Sequence, residues 1–166
     1  MPDDELTAAE PSGSAAEGRR LPHAPVGDLL GFKVSDVDSG RAVVTLQTGP
    51  QHANPLGTLH GGILCDIADA AMGYAFASTL AADESFTTIE LKINFFRPVW
   101  NALLKAEANV TQRGRTVGYV ECEVTDEKGR VIAKSASTCM VLRDSNAAGQ
   151  IGGDGLTELI ARSVSR

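Results

Sequence analysis

A glycine-rich turn that leads into one long apolar segment constrains this chain more than any other feature. The stretch from Asn54 to Leu80 reads NPLGTLHGGILCDIADAAMGYAFASTL, and no proline follows Leu59 within it. Apolar and small residues recur on every side of a helical wheel, which predicts a helix that is buried on all its faces. Such a helix needs other elements packed around it.

The predicted helix starts with a glycine pair, Gly61 and Gly62. The first N–H groups of a helix have no partner within the helix and lie at the positive end of its dipole. With no side chain in the way, one of these N–H groups could stabilise negative charge on a thioester or ester oxygen. Close packing of the backbone against a strand would explain the same two glycines. His60 is more typical of a helix start or a turn than of a catalytic base.

Two carboxylates, Asp66 and Asp69, interrupt the apolar pattern of this helix. An ionised carboxylate in apolar surroundings is costly unless it is paired, so both are functional candidates. The dipole at the helix start is enough to explain Asp66, whereas Asp69 lies too far along and is better explained by function. Gly61 and Asp69 are eight residues, or roughly 12 Å, apart along one helix. If they share a site, a second copy supplies one of them, which predicts a homodimer with shared sites.

Length and composition favour one cytoplasmic domain. The chain has 166 residues, of which 43% are hydrophobic, enough for one substantial core. A net charge of −6 argues against nucleic acid or an anionic membrane as the partner. Three scattered cysteines without metal-ligand spacing indicate reduced core residues and no metal site. Residues 1–20 contain no apolar run typical of a signal peptide or a membrane span.

Strand patterns dominate the rest of the chain. We predict a disordered tail over residues 1–20, one domain over 21–143, and a peripheral tail over 144–166 with a short helix at 156–164. Within the domain, a short helix or turn and a hairpin precede the long helix, and four strands in an antiparallel meander follow it, at 86–96, 103–111, 117–124 and 131–142. This order predicts an α+β fold in which a curved sheet wraps around the helix.

Strict alternation marks the first two strands of the meander. Ile89, Leu91, Ile93 and Phe95 alternate with polar residues that include Thr88. The period of two predicts that the four apolar side chains face the core and that Thr88 lies on the opposite, polar face. The next strand alternates in the same way, with Leu104, Ala106, Ala108 and Val110 on its core face.

These features together resemble the hotdog-fold thioesterases, in particular the phenylacetate-degradation-type and 4-hydroxybenzoyl-CoA thioesterase branch. The resemblance covers roughly residues 25–143. It rests on the pattern Asn-x-x-Gly-x-x-His-Gly-Gly from Asn54 to Gly62, on Asp69, on the strand Thr87 to Pro98 and on the strands that follow. The hydroxybenzoyl branch has glutamate at the position of Asp69 and threonine at that of Gly73, so this chain is more similar to the phenylacetate-type branch.

The resemblance implies an enzyme that hydrolyses acyl-CoA thioesters with no metal and no tightly bound cofactor, as a dimer or more often a tetramer. It implies that Asp69 acts as general base or nucleophile and that the Gly61 N–H of the neighbouring subunit polarises the thioester carbonyl. Asn54 would orient the water or the thioester, and Thr88 would hold the water or the carboxylate. A non-catalytic module that binds acyl-CoA is the alternative.

Further substrate contacts are predicted on both sides of the thioester. His60 and Gly62 would contact the substrate at the helix start, and an aryl or medium-length acyl group would lie along the helix near Met72. The phosphates of CoA need local cations in an acidic protein. Arg113 and Arg115, which flank a turn at a strand end, are predicted to bind them; Arg97 and Arg143 are the other basic candidates.

Overall fold

Two helices and six strands follow one another along residues 24–143, the part of the chain that this computed structural model describes. The tails predicted for residues 1–20 and 144–166, with the short helix at 156–164, lie outside the described residues. The elements are α1 (Pro25–Leu30), β1 (Lys33–Asp38), β2 (Arg41–Gln47), a 3-10 turn (Pro50–His52), α2 (Gly61–Ala77), β3 (Ser85–Phe95), β4 (Leu103–Arg113), β5 (Val117–Thr125) and β6 (Val131–Leu142).

All six strands form one antiparallel sheet in the order β1-β2-β4-β5-β6-β3. The predicted hairpin is present as β1 and β2, and the α+β fold is confirmed. The predicted four-stranded meander is wrong for its first strand, because β3 pairs with β6, with Ser85 opposite Leu142. Alternation along a strand identifies its two faces but not its neighbour, so the crossing of β3 to the far edge leaves no mark in the sequence.

The long helix α2 packs one side against the sheet. Its buried residues are Leu64, Ile67, Ala68, Ala71, Met72, Ala75 and Phe76. Asp66 and Asp69 are exposed on the opposite side, and Cys65 and Gly73 are partly exposed. The prediction of burial on all faces is therefore not met within one chain, because a single sheet covers only one side of a helix. We call the uncovered side, marked by Asp66, Asp69 and Gly73, the open stripe of α2.

The C-terminal end of α2 is fixed by an aromatic side chain that fits against a glycine. The Phe76 ring is fully buried and makes an edge contact with Phe86 on β3, with 5.3 Å between ring centroids. A Cβ atom on Gly118 of β5 would lie only 2.2 Å from Cε2 of Phe76. Only glycine at this position lets α2 approach β5 this closely.

A β-bulge changes which side chains of β3 face the helix. The register shifts between Thr88 and Glu90, so that Thr88 pairs with Cys139 and Leu91 pairs with Ser137, and both of these partners are buried. Thr88 and Leu91 therefore point to the same face, whereas Ile89 is 58% exposed. The predicted alternation is wrong at these two positions: the bulge moves Ile89 off the core face and turns Thr88 towards the helix side.

Strand β3 forms one edge of the sheet and bonds to β6 alone among the described strands. On β4 the predicted alternation holds, since Leu104, Ala106 and Ala108 are fully buried.

No helix within residues 24–143 combines the length and the apolar character that a membrane crossing requires.

Candidate active site

The loop before α2 is built around the side chain of Asn54. Its Oδ1 accepts hydrogen bonds from the N–H groups of Leu56 (2.9 Å) and Thr58 (3.3 Å), and its Nδ2 donates to Oγ1 of Thr58 (2.8 Å). Gly57 completes the turn with a φ of +78°, a conformation that favours glycine. The amide of Asn54 thus shapes the loop that leads to the helix start.

A buried histidine, His52, anchors this loop through hydrogen bonds. Its Nδ1 accepts from the N–H of Gly49 (3.0 Å), so its Nε2 carries the proton and donates to the carbonyl of Leu30 (2.9 Å). The His52 carbonyl accepts from the N–H of His60 (2.9 Å) at the end of the loop. Sequence reasoning missed His52, for which the only signal is its place just before the Asn54 turn.

His60 is the N-cap of α2 and determines which backbone donors remain free. Its Nδ1 accepts from the N–H of Gly62 (2.9 Å), and its carbonyl accepts from the N–H of Ile63 (3.1 Å). Within residues 24–143 no acceptor takes the N–H of Gly61. The helix start therefore presents one free N–H group at the positive end of the dipole.

Both glycines at the helix start also have a packing reason. A Cβ atom on Gly62 would lie 2.9 Å from Nδ1 of His60, and one on Gly61 would lie 3.1 Å from Cζ of Phe95 on β3. The two explanations that the sequence left open are thus compatible. Glycine lets the His60 ring and the Phe95 ring approach the backbone, and the N–H of Gly61 stays uncovered.

A groove of about 330 Å³ opens beside Gly61, between the start of α2 and the segment after β3. Most of its lining is apolar and one side chain is cationic; the residues are Leu59, Gly61, Leu64, Phe95, Phe96, Arg97, Pro98 and Val99. The N–H of Leu59 donates to the carbonyl of Val99 (2.7 Å), which ties the two walls together. The groove can hold an apolar chain next to the free N–H of Gly61.

Asp66 and Asp69 lie on the open stripe of α2, away from the groove of their own chain. Both residues are exposed in the single chain, but neighbouring protein atoms partly desolvate their carboxyl groups. This desolvation, followed by the negative charge of Asp66, raises the pKa of Asp69, and desolvation raises the pKa of Asp66. A carboxylate with a raised pKa is a better proton acceptor near neutral pH. Among the described residues, no cluster of histidine, cysteine and carboxylate side chains could hold a metal ion.

Thr88 lies near the same part of the helix. It pairs with Cys139 across β3 and β6, on the side of the sheet that faces α2. The pKa of the Cys139 thiol is raised mainly by burial and also by the charge of Asp69. Thr88 and Cys139 therefore lie side by side on the helix side of the sheet, within reach of the charge of Asp69. Gly61 lies at the start of α2, eight residues before Asp69, so the two residues do not meet within one chain.

Two other predicted contact residues, Met72 and Arg113, are placed differently from expectation. Met72 is 1% exposed and packs in the core, so an acyl group would reach it only if core side chains moved. Arg113 is bound by Glu84 at 2.7 Å and lies over the Phe76 ring, which gives it a structural task. Arg115 is exposed on the β4–β5 turn and makes no ion pair with any described residue.

Comparison with known proteins identifies the family. The thioesterase superfamily model matches residues 56–133. The acyl-coenzyme A thioesterase PaaI of Escherichia coli is 35% identical over 106 residues, 63% of this chain and 73% of that protein. The 1,4-dihydroxy-2-naphthoyl-CoA hydrolase of Listeria monocytogenes is 27% identical over 114 residues, 69% of this chain and 93% of that protein.

Solved structures give the same answer. The structure of the E. coli PaaI protein from the phenylacetic acid degradation operon superposes with a TM-score of 0.66 at 27% identity, covering 70% of this chain and 83% of that one. Its fold is the one described above, with a long helix against an antiparallel sheet. The chain therefore belongs to the thioesterase superfamily and is a thioester hydrolase with the hotdog fold.

Proposed function

We propose that this protein hydrolyses the thioester bond of an acyl-CoA with an aryl or medium-length acyl group and releases the free acid and CoA. The observation that carries the proposal is the free N–H of Gly61, a residue that lines an apolar groove at the positive end of α2. The names of the relatives support the substrate class, since PaaI is an acyl-CoA thioesterase and the Listeria protein hydrolyses a naphthoyl-CoA.

In the proposed reaction the thioester carbonyl accepts a hydrogen bond from the N–H of Gly61. Negative charge develops on this oxygen when water attacks, and the N–H and the helix dipole stabilise it. Asp69 takes the proton of the attacking water, for which its raised pKa suits it. The C–S bond then breaks, and CoA leaves as a thiolate, which needs no strong acid.

Two polar side chains complete the proposed site. The hydroxyl of Thr88, turned towards the helix by the bulge in β3, holds the water or the carboxylate of Asp69. Asn54 acts through the loop that it shapes: its amide fixes the approach to α2, and the second hydrogen of Nδ2 is available to the substrate or the water. His60 and Gly62 contribute by fixing the helix start.

The active unit in this proposal is a homodimer in which Gly61 of one subunit faces Asp69 of the other. The outer edge of β3 and the open stripe of α2 both lack a partner among residues 24–143, as does the outer edge of β1 at the other end of the sheet. Pairing of two β3 edges would continue the sheet and bring the two open stripes together. By resemblance to the family, two such dimers would form a tetramer.

The test is thiol release from a panel of CoA thioesters with phenylacetyl, 4-hydroxybenzoyl and straight-chain acyl groups. We expect release by the wild type and a loss of about 10²- to 10⁴-fold in Asp69→Ala, the usual effect of removing a general base. Because Asp69 is exposed in the single chain, Asp69→Ala should still fold, which circular dichroism checks. Saturable binding of CoA thioesters without any release would favour the non-catalytic binding module instead.

A further inference from the structure

Four of the six arginines in residues 24–143 are committed to carboxylates. Arg41 pairs with Asp36 and Glu107, Arg113 and Arg143 pair with Glu84, and Arg130 pairs with Asp126. Arg97 and Arg115 make no ion pair with any residue of this range. These two guanidinium groups keep their charge available for a ligand.

Arg97 differs from Arg115 in being both held in place and next to the candidate site. Its Nη1 donates to the carbonyl of Val131 (2.8 Å), which orients the guanidinium without neutralising it. Its other N–H groups have no acceptor among the described residues. Arg97 also lines the groove that contains Gly61, whereas Arg115 lies on the β4–β5 turn and is not part of that groove.

The rest of the groove suits an apolar chain that ends at a charge. Leu59, Leu64 and Val99 are buried and form its floor, and Phe95 and Phe96 are half-exposed walls. Arg97 is the one charged side chain in this lining. A guanidinium at an otherwise apolar surface attracts a group with two anionic oxygens, because its N–H donors match that geometry.

We propose that Arg97 binds an anionic group of the thioester substrate and that the groove holds the chain joining this group to the carbonyl at Gly61. The inference rests on the proposed function and names a binding residue within it. The anionic group is either a phosphate of CoA or a carboxylate at the far end of the acyl group, since both offer paired oxygens. Arg97 would then bind the anion that the sequence assigned to Arg113. Arg113 itself is already paired with Glu84.

Calorimetric titration with CoA and with pantetheine, which lacks the phosphates, tests the phosphate source. We expect Arg97→Gln to raise the Kd for CoA about tenfold, the usual scale for a hydrogen bond to a charged group, and to leave the Kd for pantetheine unchanged. Lys33→Gln is the matched control, because it removes an exposed cation on β1, outside the groove, and should change neither Kd. Arg97→Lys should restore only part of the affinity, since lysine keeps the charge but not the fork of donors.

A second pair of ligands tests the carboxylate source. Hexanoyl and adipoyl thioesters of N-acetylcysteamine carry no phosphate and differ by one terminal carboxylate. If Arg97→Gln raises KM for the adipoyl compound alone, the anion is on the acyl group. For a compound that the protein does not hydrolyse, Kd is measured instead of KM. The inference is overturned if Arg97→Gln changes the Kd or KM of none of the four compounds, if it weakens the binding of all four alike, or if Lys33→Gln has the same effect.

These outcomes separate the inference from the proposed function. A wild-type protein that hydrolyses no thioester but binds CoA in a manner dependent on Arg97 would refute the hydrolysis and keep the binding residue. A protein that hydrolyses thioesters with equal KM in wild type and Arg97→Gln, and with equal Kd for CoA, would keep the hydrolysis and refute the binding residue.

Discussion

Nδ1 of His60 accepts a hydrogen bond from the N–H of Gly62 at 2.9 Å, next to a Gly61 N–H that no described residue accepts. Two neighbouring N–H groups of the first helical turn thus differ in function. The N–H of Gly62 forms the cap, and the N–H of Gly61 is available to a ligand. The glycine at position 62 makes this possible, because a Cβ atom there would lie 2.9 Å from the same nitrogen.

Replacing Gly61 by proline should remove the proposed oxyanion donor without breaking the helix. Gly61 is the first residue of α2, where proline is favoured, and His60 before it has φ −66° and ψ 131°, which a following proline accepts. We expect kcat to fall about 10²- to 10³-fold. Gly61→Ala is the control, since it keeps the N–H and adds a Cβ atom 3.1 Å from the Phe95 ring. Equal losses in both variants would show that crowding, not the N–H, matters.

Mixing two inactive variants should restore activity if the sites are shared. A dimer of one Gly61→Pro subunit and one Asp69→Asn subunit has one site with both defects and one site with neither. Random pairing then recovers about a quarter of the wild-type activity, measured as thiol release after the two variants are refolded together. Each variant refolded alone is the control, and no recovery in the mixture would place both groups of a site in one chain.

The acid side of the pH profile should depend on Asp66. Partial desolvation and the charge of Asp66 both raise the pKa of Asp69, and the proposed base works only when it is ionised. Asp66→Asn removes one of the two causes, so the fall of kcat/KM on acidification should move to lower pH. Asp66→Glu keeps the charge and should keep the profile close to that of the wild type. An unchanged profile in Asp66→Asn would assign the titration to another group.

Gly118→Ala should destabilise the fold. The new Cβ atom would lie 2.2 Å from a fully buried ring, that of Phe76, which has no room to move. We expect a loss of about 1–3 kcal/mol in the free energy of unfolding, measured by urea denaturation at matched protein concentration. Gly73→Ala is the comparison, because the nearest atom to its Cβ would be Cζ of Phe86 at an ordinary 3.8 Å. A similar loss in both variants would contradict the packing argument.

Glu84 should contribute stability that acid removes. The N–H of Ala81 is the main cause of its lowered pKa, and the hydrogen bond from Arg143 and the charges of Arg113 and Arg143 add to it. Because the folded-state pKa is below that of the unfolded chain, the contribution is complete above the ordinary glutamate pKa and is lost as the pH falls through the lowered value. Glu84→Gln should flatten the dependence of urea midpoints on pH in this window; a dependence as steep as that of the wild type would exclude Glu84 as its source.

Much of the fold could be predicted because its signals are local. The turn from Asn54 to Gly62 and the apolar run after it mark the helix, and alternation marks the strands. The predictions that were wrong depend on the pairing of strands that are distant in the sequence. A count of alternating residues cannot register the extra residue at Ile89, so it placed Thr88 on the wrong face. The pairing of β3 with β6 fixes both the bulge and the edge, and it joins segments about fifty residues apart.

The candidate site divides in the same way. Gly61 and Asp69 became candidates through chain-local chemistry, namely free amides at a helix start and a carboxylate in an apolar helix. Other contacts of the site are tertiary, and residue spacing in the sequence does not predict them. They are the ion pair of Arg113 with Glu84 and the hydrogen bonds of His52 with Leu30 and Gly49. Arg97 stood among several basic candidates, and only the pairing of the other arginines distinguishes it.

The position of β3 at the far edge of the sheet also dictates an order of events during synthesis. The ribosome makes β3 directly after α2, but the partner strand β6 is the last described strand to emerge. Until then β3 has two unpaired edges, and α2 has only part of the sheet to cover its apolar side. Such long-range pairing is slow and leaves intermediates prone to aggregation. The nascent chain is therefore most vulnerable just before β6 is complete.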